Sequence, residues 1–167
     1  SGMSRGLGDV YKRQLKDNIG FESLPTTAGA YVLKDNYTED AFITKKLKSE
    51  GAIILGKTNL SEWANYFCSG CPNGYTSLGG QTLNPYGRKI IDTGGSSSGS
   101  GVATTSNLSS VSIGSETSGS ILSPSSSNSL VGMKPTIGSV SRSGIIPISS
   151  SLDLSLIHIS EPTRHSA

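Results

Sequence analysis

One serine in the segment GSETSGSILSP has the setting of a nucleophile. Ser120 follows a short apolar strand pattern and stands where the chain is expected to turn into a helix. Such a turn directs consecutive backbone N–H groups at one point, here those of Thr117, Ser118, Gly119 and Ser120, and Gly119 gives the backbone room to bend. This arrangement predicts an oxyanion hole beside a serine nucleophile. A purely structural glycine–serine turn explains the same residues equally well.

A serine nucleophile needs a base, and the body of this chain offers no histidine. Both histidines lie within the last ten residues. A lysine can act instead if burial or neighbouring charge keeps its amine neutral. The tetrapeptide LKDN occurs twice, with Lys16 and Lys34, so both are candidates. Ser96, in GGSSS, is the candidate that relays the proton between the lysine and Ser120.

The serine-rich stretch at 94–130 allows two other interpretations. It contains 16 serines, the composition of a low-complexity linker, yet apolar residues recur at the spacings of folded segments: Val102, Val111, Ile113, Ile121, Leu122 and Leu130. DTGGSSSGSG resembles a phosphate-binding loop, but no lysine follows Gly99 as a P-loop requires, and the GxGxxG pattern is absent. The sequence therefore predicts a folded segment and no nucleotide cofactor.

Charge and cysteine content argue against further classes. The net charge is +2 and 16% of residues are charged, without the basic stripe that nucleic-acid binding needs. No apolar run approaches the ~18 residues of a membrane span. Cys68 and Cys71 form a lone CxxC, and no second pair completes the four ligands of a structural zinc site. We interpret them as ordinary loop thiols rather than a redox or metal site, and we expect no metal or other cofactor.

Helical and strand patterns alternate around the candidate residues, which favours an α/β fold with a largely parallel sheet covered by helices. Helices are predicted for EDAFITKKLKSEG, for NLSEWANYF with Ser61 as N-cap, and for SGSGVATTSNL. Strands are predicted for AIILG, which we expect to be buried, for SVSIGS and for LVGMKPT. Residues 66–93 are predicted to be irregular loop.

The two ends of the chain differ from its middle. Residues 1–14 and 154–167 are typical of translated sequencing-adapter sequence and show no native pattern. We therefore expect a native segment at 15–153 with a non-native tail on each side.

The ordered motifs of residues 15–153 are similar to those of the amidase signature family. They are LKDN, DAFITKKLKSEGAIILGKTNLSEWA, Asn84-Pro85, GGSSSGSG, GSETSGSILSP and VGMKPTIGSVSRSGIIPISSSLD, and together they cover essentially the whole segment. The resemblance implies the family's fold, a mostly parallel mixed sheet covered by helices, of which only an N-terminal portion is present. The ETSGSI form resembles stand-alone amidases, including peptide amidases, more than the A subunit of glutamyl-tRNA amidotransferase.

The resemblance also implies a Ser-cisSer-Lys triad. Ser120 matches the nucleophile, Ser96 the serine that follows a cis peptide bond, and Lys16 the base. Lys16 rather than Lys34 matches because TTAGAYVL follows it, as a similar segment follows the family's lysine. The residues expected to support the turn are Gly95, Ser97 and Ser98. The implied reaction is hydrolysis of a small-molecule or peptide amide through a serine acyl-enzyme.

Family members are several times longer than this segment, and a parallel sheet needs both of its faces covered. We therefore expect this chain alone to be poorly soluble and inactive, although its triad is complete. Two other classes stay open. One is an assembly module, such as an amidotransferase subunit that acts only within a complex, and the other is a non-catalytic linker.

Overall fold

A computed structural model describes residues 12–149 and 152–159. Its strands, in chain order, are β1 Lys12–Lys16, β2 Ile53–Thr58, β3 Tyr75–Thr76, β4 Gly80–Gln81, β5 Val111–Glu116, β6 Val131–Met133 and β7 Leu154–Ile159. Within these residues, five strands form one sheet in the order β2-β1-β5-β7-β6, and β3 pairs with β4 in a separate small sheet.

The main sheet is mixed. Strand β1 runs parallel to both β2 and β5, whereas β7 runs antiparallel to β5 and β6. Leu15 is in register with Lys57 on one side and with Ile113 on the other, and Lys16 is opposite Thr58. The carboxyl ends of β1, β2 and β5 therefore meet at one edge of the sheet, which is where sites form in α/β folds.

Three helices accompany the sheet in the described part of the chain: α1 Phe42–Ser49, α2 Ser98–Thr105 and α3 Leu122–Ser127. Short 3-10 turns cover Tyr31–Leu33 and Glu62–Asn65. Helix α2 consists mostly of small residues, which allows it to approach β2 closely. A Cβ at Gly99 would lie 2.3 Å from the carbonyl oxygen of Asn59.

The buried core lies where β1 and β5 meet the segment that follows β1. Its members are Leu15, Ile19, Phe21, Ala41 and Ile113, with Ile43, Leu47, Ile54 and Ile145 packed against them. The helix predicted within EDAFITKKLKSEG is confirmed as α1, and it supplies Ile43 and Leu47 to this core. The predicted helix after Gly-Gly-Ser and the two later strands are confirmed as α2, β5 and β6.

Two sequence predictions about elements are wrong. NLSEWANYF forms only the turn Glu62–Asn65, because Trp63, Ala64 and Asn65 have left-handed backbone, with φ of +48°, +55° and +63°. Ser61 does not cap a helix, since its Oγ accepts the N–H of Gly74 at 2.9 Å.

The second error concerns the strand AIILG. It forms as β2 but lies at an edge of the sheet rather than inside it, which leaves Ile53 58% and Leu55 48% exposed. Residues 66–93 are largely irregular, as predicted, apart from the short strands β3 and β4.

The predicted tails are partly described. Residues 12–14 belong to β1, and residues 154–159 form β7. The non-native origin of both tails stays a prediction, and residues 1–11 and 160–167 lie outside the described part. None of the described helices is long and apolar enough to cross a membrane.

Candidate active site

Lys16 is the last residue of β1, and its side chain is buried, with 1% exposed. Its Nζ lies 2.7 Å from Ser96 Oγ and donates a hydrogen bond to the carbonyl oxygen of Ser115 at 3.1 Å. Ser115 is in β5, next to β1, so the sheet itself fixes this amine. The structure thus brings together the predicted base and the predicted relay serine.

The amine of Lys16 is a far weaker base than an ordinary lysine. Burial lowers the pKa of Lys16 from 10.5 to about 7, and the negative charges of Asp153 and Glu116 oppose this by raising it. A large fraction of the amine is therefore neutral near pH 7, and a neutral amine has a lone pair that can accept a proton.

Ser96 is held from both sides. The Gly95–Ser96 peptide bond is cis, and the Ser96 carbonyl accepts the N–H of Ser61 at 2.9 Å. A Cβ at position 95 would lie 2.3 Å from Asn73 Oδ1 and 2.6 Å from the Ser61 hydroxyl, so glycine fits here without displacing those side chains. These contacts place Ser96 at the start of α2 with its hydroxyl beside Lys16.

Ser97 and Ser98 form hydrogen bonds within the protein. Ser97 Oγ donates to the carbonyl of Ser115 at 3.1 Å, and Ser98 Oγ donates to the carbonyl of Gly94 at 2.6 Å. Both side chains are fully buried. Ser97 thus bonds the glycine–serine loop to β5, and Ser98 forms a hydrogen bond within the loop. Both contacts are consistent with the expected role of supporting the turn.

Ser120 ends the loop that joins β5 to α3, and it is 7% exposed. Its carbonyl accepts the N–H of Ser97 at 3.0 Å, so the loops of the two candidate serines are bonded directly. Gly119 has a φ of +78°, the left-handed conformation that glycine adopts without strain. The turn expected around Ser120 is therefore present, between a strand and a helix.

Glu116 is a site residue to which the sequence motifs assign no role. Its Oε2 accepts the N–H groups of Ile121 at 2.8 Å and Leu122 at 3.1 Å, and its Oε1 lies 2.8 Å from Lys134 Nζ. Burial would raise the pKa of Glu116, but Lys134 and the N–H groups of Ile121, Leu122 and Gly119 lower it overall.

The carboxylate of Glu116 is thus charged. It connects the end of β5, before Ser120, with the backbone N–H groups that follow Ser120. The sequence did contain a signal, since Glu116 is the only acidic residue between Asp92 and Asp153. The Gly119 N–H, one of the four suggested oxyanion donors, is also among the groups that lower the pKa of this carboxylate.

Asp153 is a second residue to which the sequence motifs assign no role. It accepts a short hydrogen bond from the Thr117 hydroxyl, and its Oδ2 accepts the N–H groups of Ile148 at 2.7 Å and Ser149 at 3.0 Å. Its side chain is buried. Asp153 therefore connects the start of the Ser120 loop with the segment that precedes β7.

The second LKDN lysine lies apart from this group. Lys34 is exposed, and its Nζ contacts Tyr31, 3.4 Å from the hydroxyl and 4.9 Å from the ring centre. The side chain of Lys57 is only 8% exposed, but its Nζ is 3.2 Å from Asp17 Oδ1 and donates to the carbonyl of Ile19 at 2.6 Å. Of these three lysines, Lys16 is the one placed beside Ser96.

A cavity of about 220 Å³ opens beside Lys16. The residues that line it are Lys16, Asn18, Ser115, Glu116, Thr117, Arg142, Ile145, Ile146, Pro147, Ile148 and Asp153. It offers a lysine amine, two carboxylates and a guanidinium beside apolar side chains. Such a mixture is typical of sites that orient a small polar ligand.

The two cysteines form a disulfide between Cys68 and Cys71, so their interpretation as ordinary loop thiols is wrong. Within residues 12–149 and 152–159, no group of three histidine, cysteine, aspartate or glutamate side chains could hold a metal ion.

Comparison with known proteins identifies the family. The family model named Amidase matches residues 14–155. This chain belongs to the amidase family. The match begins at β1 and ends just after Asp153, so it includes every residue of the candidate site. The amidase fold expected from the resemblance is confirmed, as an N-terminal portion of it.

Amidases of several kinds are similar to this chain. A probable amidase of Arabidopsis thaliana is 48% identical over 81% of this chain and 27% of that protein. The peptide amidase from Stenotrophomonas maltophilia superposes with a TM-score of 0.88 at 45% identity, over 94% of this chain and 33% of that structure. The A subunit of the glutamyl-tRNA(Gln) amidotransferase of Lawsonia intracellularis is 45% identical over 83% of this chain and 28% of the subunit.

The chain thus spans about a quarter to a third of the length of these amidase relatives. Stand-alone amidases and a peptide amidase are among the similar proteins, in line with the resemblance noted for ETSGSI, and amidotransferase A subunits match as well.

Proposed function

We propose that the protein to which this segment belongs hydrolyses carboxamides through a serine acyl-enzyme, with Ser120 as nucleophile, Ser96 as relay and Lys16 as base. The observation that supports this most strongly is the buried Lys16 amine, 2.7 Å from Ser96 Oγ, with its pKa lowered to about 7. A lysine on a structural ion pair would keep its charge, whereas this one is poised to gain and lose a proton.

The reaction begins with a proton transfer. Neutral Lys16 takes the hydroxyl proton of Ser96, Ser96 takes that of Ser120, and Ser120 Oγ forms a bond to the amide carbonyl carbon. The carbonyl oxygen becomes an oxyanion, which backbone N–H groups of Thr117, Ser118 and Ser120 stabilise. The Gly119 N–H is the fourth donor of the predicted set, and it also helps to lower the pKa of Glu116.

The second half returns the proton. Protonated Lys16 gives it back through Ser96 to the nitrogen of the leaving group, and the C–N bond breaks to release ammonia or an amine. Water then attacks the ester of Ser120, with the same relay taking its proton. The carboxylic acid leaves and Ser120 regains its hydroxyl hydrogen, so no cofactor enters the balance.

The experiment that tests this uses a full-length parent protein that carries residues 15–153. A fluorophosphonate probe reacts with activated serines, and peptide mass spectrometry locates the labelled residue. We expect the label on Ser120, lost in Lys16→Ala and retained in Lys34→Ala. A folded parent protein that takes no label at Ser120 would refute the mechanism.

A second candidate function is that of an amidotransferase A subunit, which would act only within a complex. It is favoured by the 45% identity to the A subunit of Lawsonia intracellularis. Release of ammonia from glutamine, measured with and without partner subunits, separates the two. Hydrolysis of simple amides by the isolated parent protein supports the stand-alone amidase.

A further inference from the structure

A second cavity, of about 260 Å³, lies next to the one beside Lys16. Its distinctive walls are Leu60, Trp63, Tyr66 and Phe67, so it is mainly apolar and aromatic. We call it the aromatic pocket. An apolar cavity of about 150 Å³ is large enough to hold benzene, so this one has room for a ring and its substituent.

The aromatic side chains of this pocket are placed by an unusual stretch of backbone. Trp63, Ala64 and Asn65 all have left-handed φ, and the disulfide between Cys68 and Cys71 follows directly. Residues other than glycine adopt this conformation rarely, and it concentrates at ligand-binding and active sites. The Phe67 ring packs edge-on against Trp63 at 6.0 Å and against Tyr66 at 5.0 Å.

The side chains of Tyr66 and Phe67 do not pack in the core. Tyr66 is 66% exposed and Phe67 is 76% exposed. Exposed apolar side chains that adjoin one another mark binding surfaces more often than isolated ones do.

The aromatic pocket and the Lys16 cavity share a wall. Asn18, Ile146, Pro147 and Ile148 line both of them. The Asn18 Nδ2 donates to Ser115 Oγ at 2.8 Å and to the Ile146 carbonyl at 3.2 Å. The shared wall is therefore bonded to the strand β5 that leads to Ser120.

The shared wall also holds an unused acceptor. Asn18 is 7% exposed, and its Oδ1 has no hydrogen-bond partner among the described residues. A buried acceptor without a partner is unfavourable, so such atoms are commonly explained by a bound water, ion or ligand. An amide N–H is a suitable donor for it.

We propose that the aromatic pocket selects carboxamides that carry an aromatic or branched apolar group, with the amide directed toward Lys16. This inference rests on the proposed amidase function and names its substrate class. Asn18 then lies between the apolar group and the amide, where its Oδ1 accepts an N–H of the substrate. Tyr66 and Phe67 determine specificity, because they contact the apolar group of the substrate. An aliphatic amide as small as acetamide has no group that reaches them.

The test compares phenylacetamide with acetamide in the full-length parent protein. We expect the ratio of their kcat/KM values to fall about tenfold in Tyr66→Ala and in Phe67→Ala, since loss of an apolar contact is worth roughly 10- to 200-fold in discrimination. Tyr37→Ala is the matched control, because Tyr37 is also 66% exposed but lies outside the pocket. It should keep the ratio unchanged.

A binding measurement separates this inference from the proposed mechanism. Calorimetry on Ser120→Ala detects phenylacetamide without any reaction, and we expect Phe67→Ala in that background to weaken its binding. If Ser120 takes no fluorophosphonate label but phenylacetamide binds at Phe67, the mechanism fails and the pocket stands. If Ser120 is labelled while neither the ratio nor the binding changes in the Tyr66 and Phe67 variants, the pocket is refuted.

Discussion

Lys16 is subject to two opposing effects. Its burial disfavours the charged form, while Asp153 and Glu116 favour it, and burial is the larger effect. A fully desolvated lysine without carboxylates nearby would be neutral but a poor base. A lysine in a tight ion pair would be charged and unable to act. The carboxylates therefore keep this amine close to the working range of a general base.

The first prediction concerns pH. Because only neutral Lys16 can take a proton, we expect the rate of fluorophosphonate labelling at Ser120 to rise with pH and to be half-maximal near pH 7, where the pKa of Lys16 lies. Stopped samples at pH 5 to 9, quantified by mass spectrometry, give the profile. Lys34→Ala should show the same midpoint. A profile that is flat over this range would mean that no lysine with a lowered pKa controls the serine.

The second prediction concerns Asp153. Its negative charge raises the pKa of Lys16, so Asp153→Asn should lower that pKa and move the labelling midpoint to lower pH. The charged groups that face Lys16 across its cavity are Glu116, Asp153 and Arg142, and only one of them changes in this variant. The same pH series measures the midpoint, and Asp35→Asn, at an exposed position, is the control. An upward shift would contradict the assigned role.

Helices and strands that are determined by the local residue pattern formed as the sequence predicts. Helix α1 has apolar residues at helical spacing, and β5 has Val111 and Ile113 at alternate positions, and both elements formed as expected. The segment NLSEWANYF has the same kind of pattern but does not form a helix. Ser61, its expected cap, bonds to Gly74 and Ser96 instead, and these distant contacts outweigh helix propensity.

In the candidate site too, local motifs predict some residues, whereas the roles of others depend on contacts made only in the folded chain. Lys16, Ser96 and Ser120 could be proposed from motif order, because each motif carries its residue in a distinctive local setting. The contributions of Glu116 and Asp153 could not, since they depend on which backbone N–H groups the folded chain brings to each carboxylate. The exposure of β2 also depends on its place at the edge of the sheet, and a local residue pattern does not reveal the order of strands.

The third prediction tests Glu116 as the organiser of the loop between β5 and α3. Glu116→Gln removes the charge that binds Lys134 and two backbone N–H groups. Hydrogen bonds to a charged group are worth about 1.5–3 kcal/mol, so we expect a loss of stability on that order and slower labelling of Ser120. Thermal unfolding measures the loss of stability. The rate of fluorophosphonate labelling at pH 9, where Lys16 is neutral, measures the effect on Ser120.

The control for Glu116 is Glu50→Gln. Glu50 also pairs with a lysine, Lys46 at 2.7 Å, but its side chain is 67% exposed. Exposed ion pairs contribute little, so this variant should reduce stability far less than Glu116→Gln does. If both variants behave alike, the buried carboxylate has no special part in holding the loop.

For the whole molecule, the sheet presents apolar surface at both ends of its strand order. Ile53 and Leu55 of β2 and Val131 and Met133 of β6 are each 46% to 58% exposed. Each pair occupies alternate positions on its strand, so its two side chains share one face of the sheet. Relatives of this chain are about three times as long, and additional chain is the natural cover for such surfaces.

The last prediction follows from the position of β2. Within the described residues, β2 pairs only with β1, so its outer edge carries unpaired N–H and C=O groups beside Ile53 and Leu55. Exposed apolar edge strands associate with one another. We expect the isolated 167-residue chain to self-associate in sedimentation velocity experiments, and the double variant Ile53→Lys, Leu55→Lys to do so less, because charge on an edge strand opposes pairing. Ile90→Lys, in a loop where Ile90 is 88% exposed, should leave association unchanged. A wild-type chain that sediments as a monomer and unfolds cooperatively would show that the surface at β2 needs no cover.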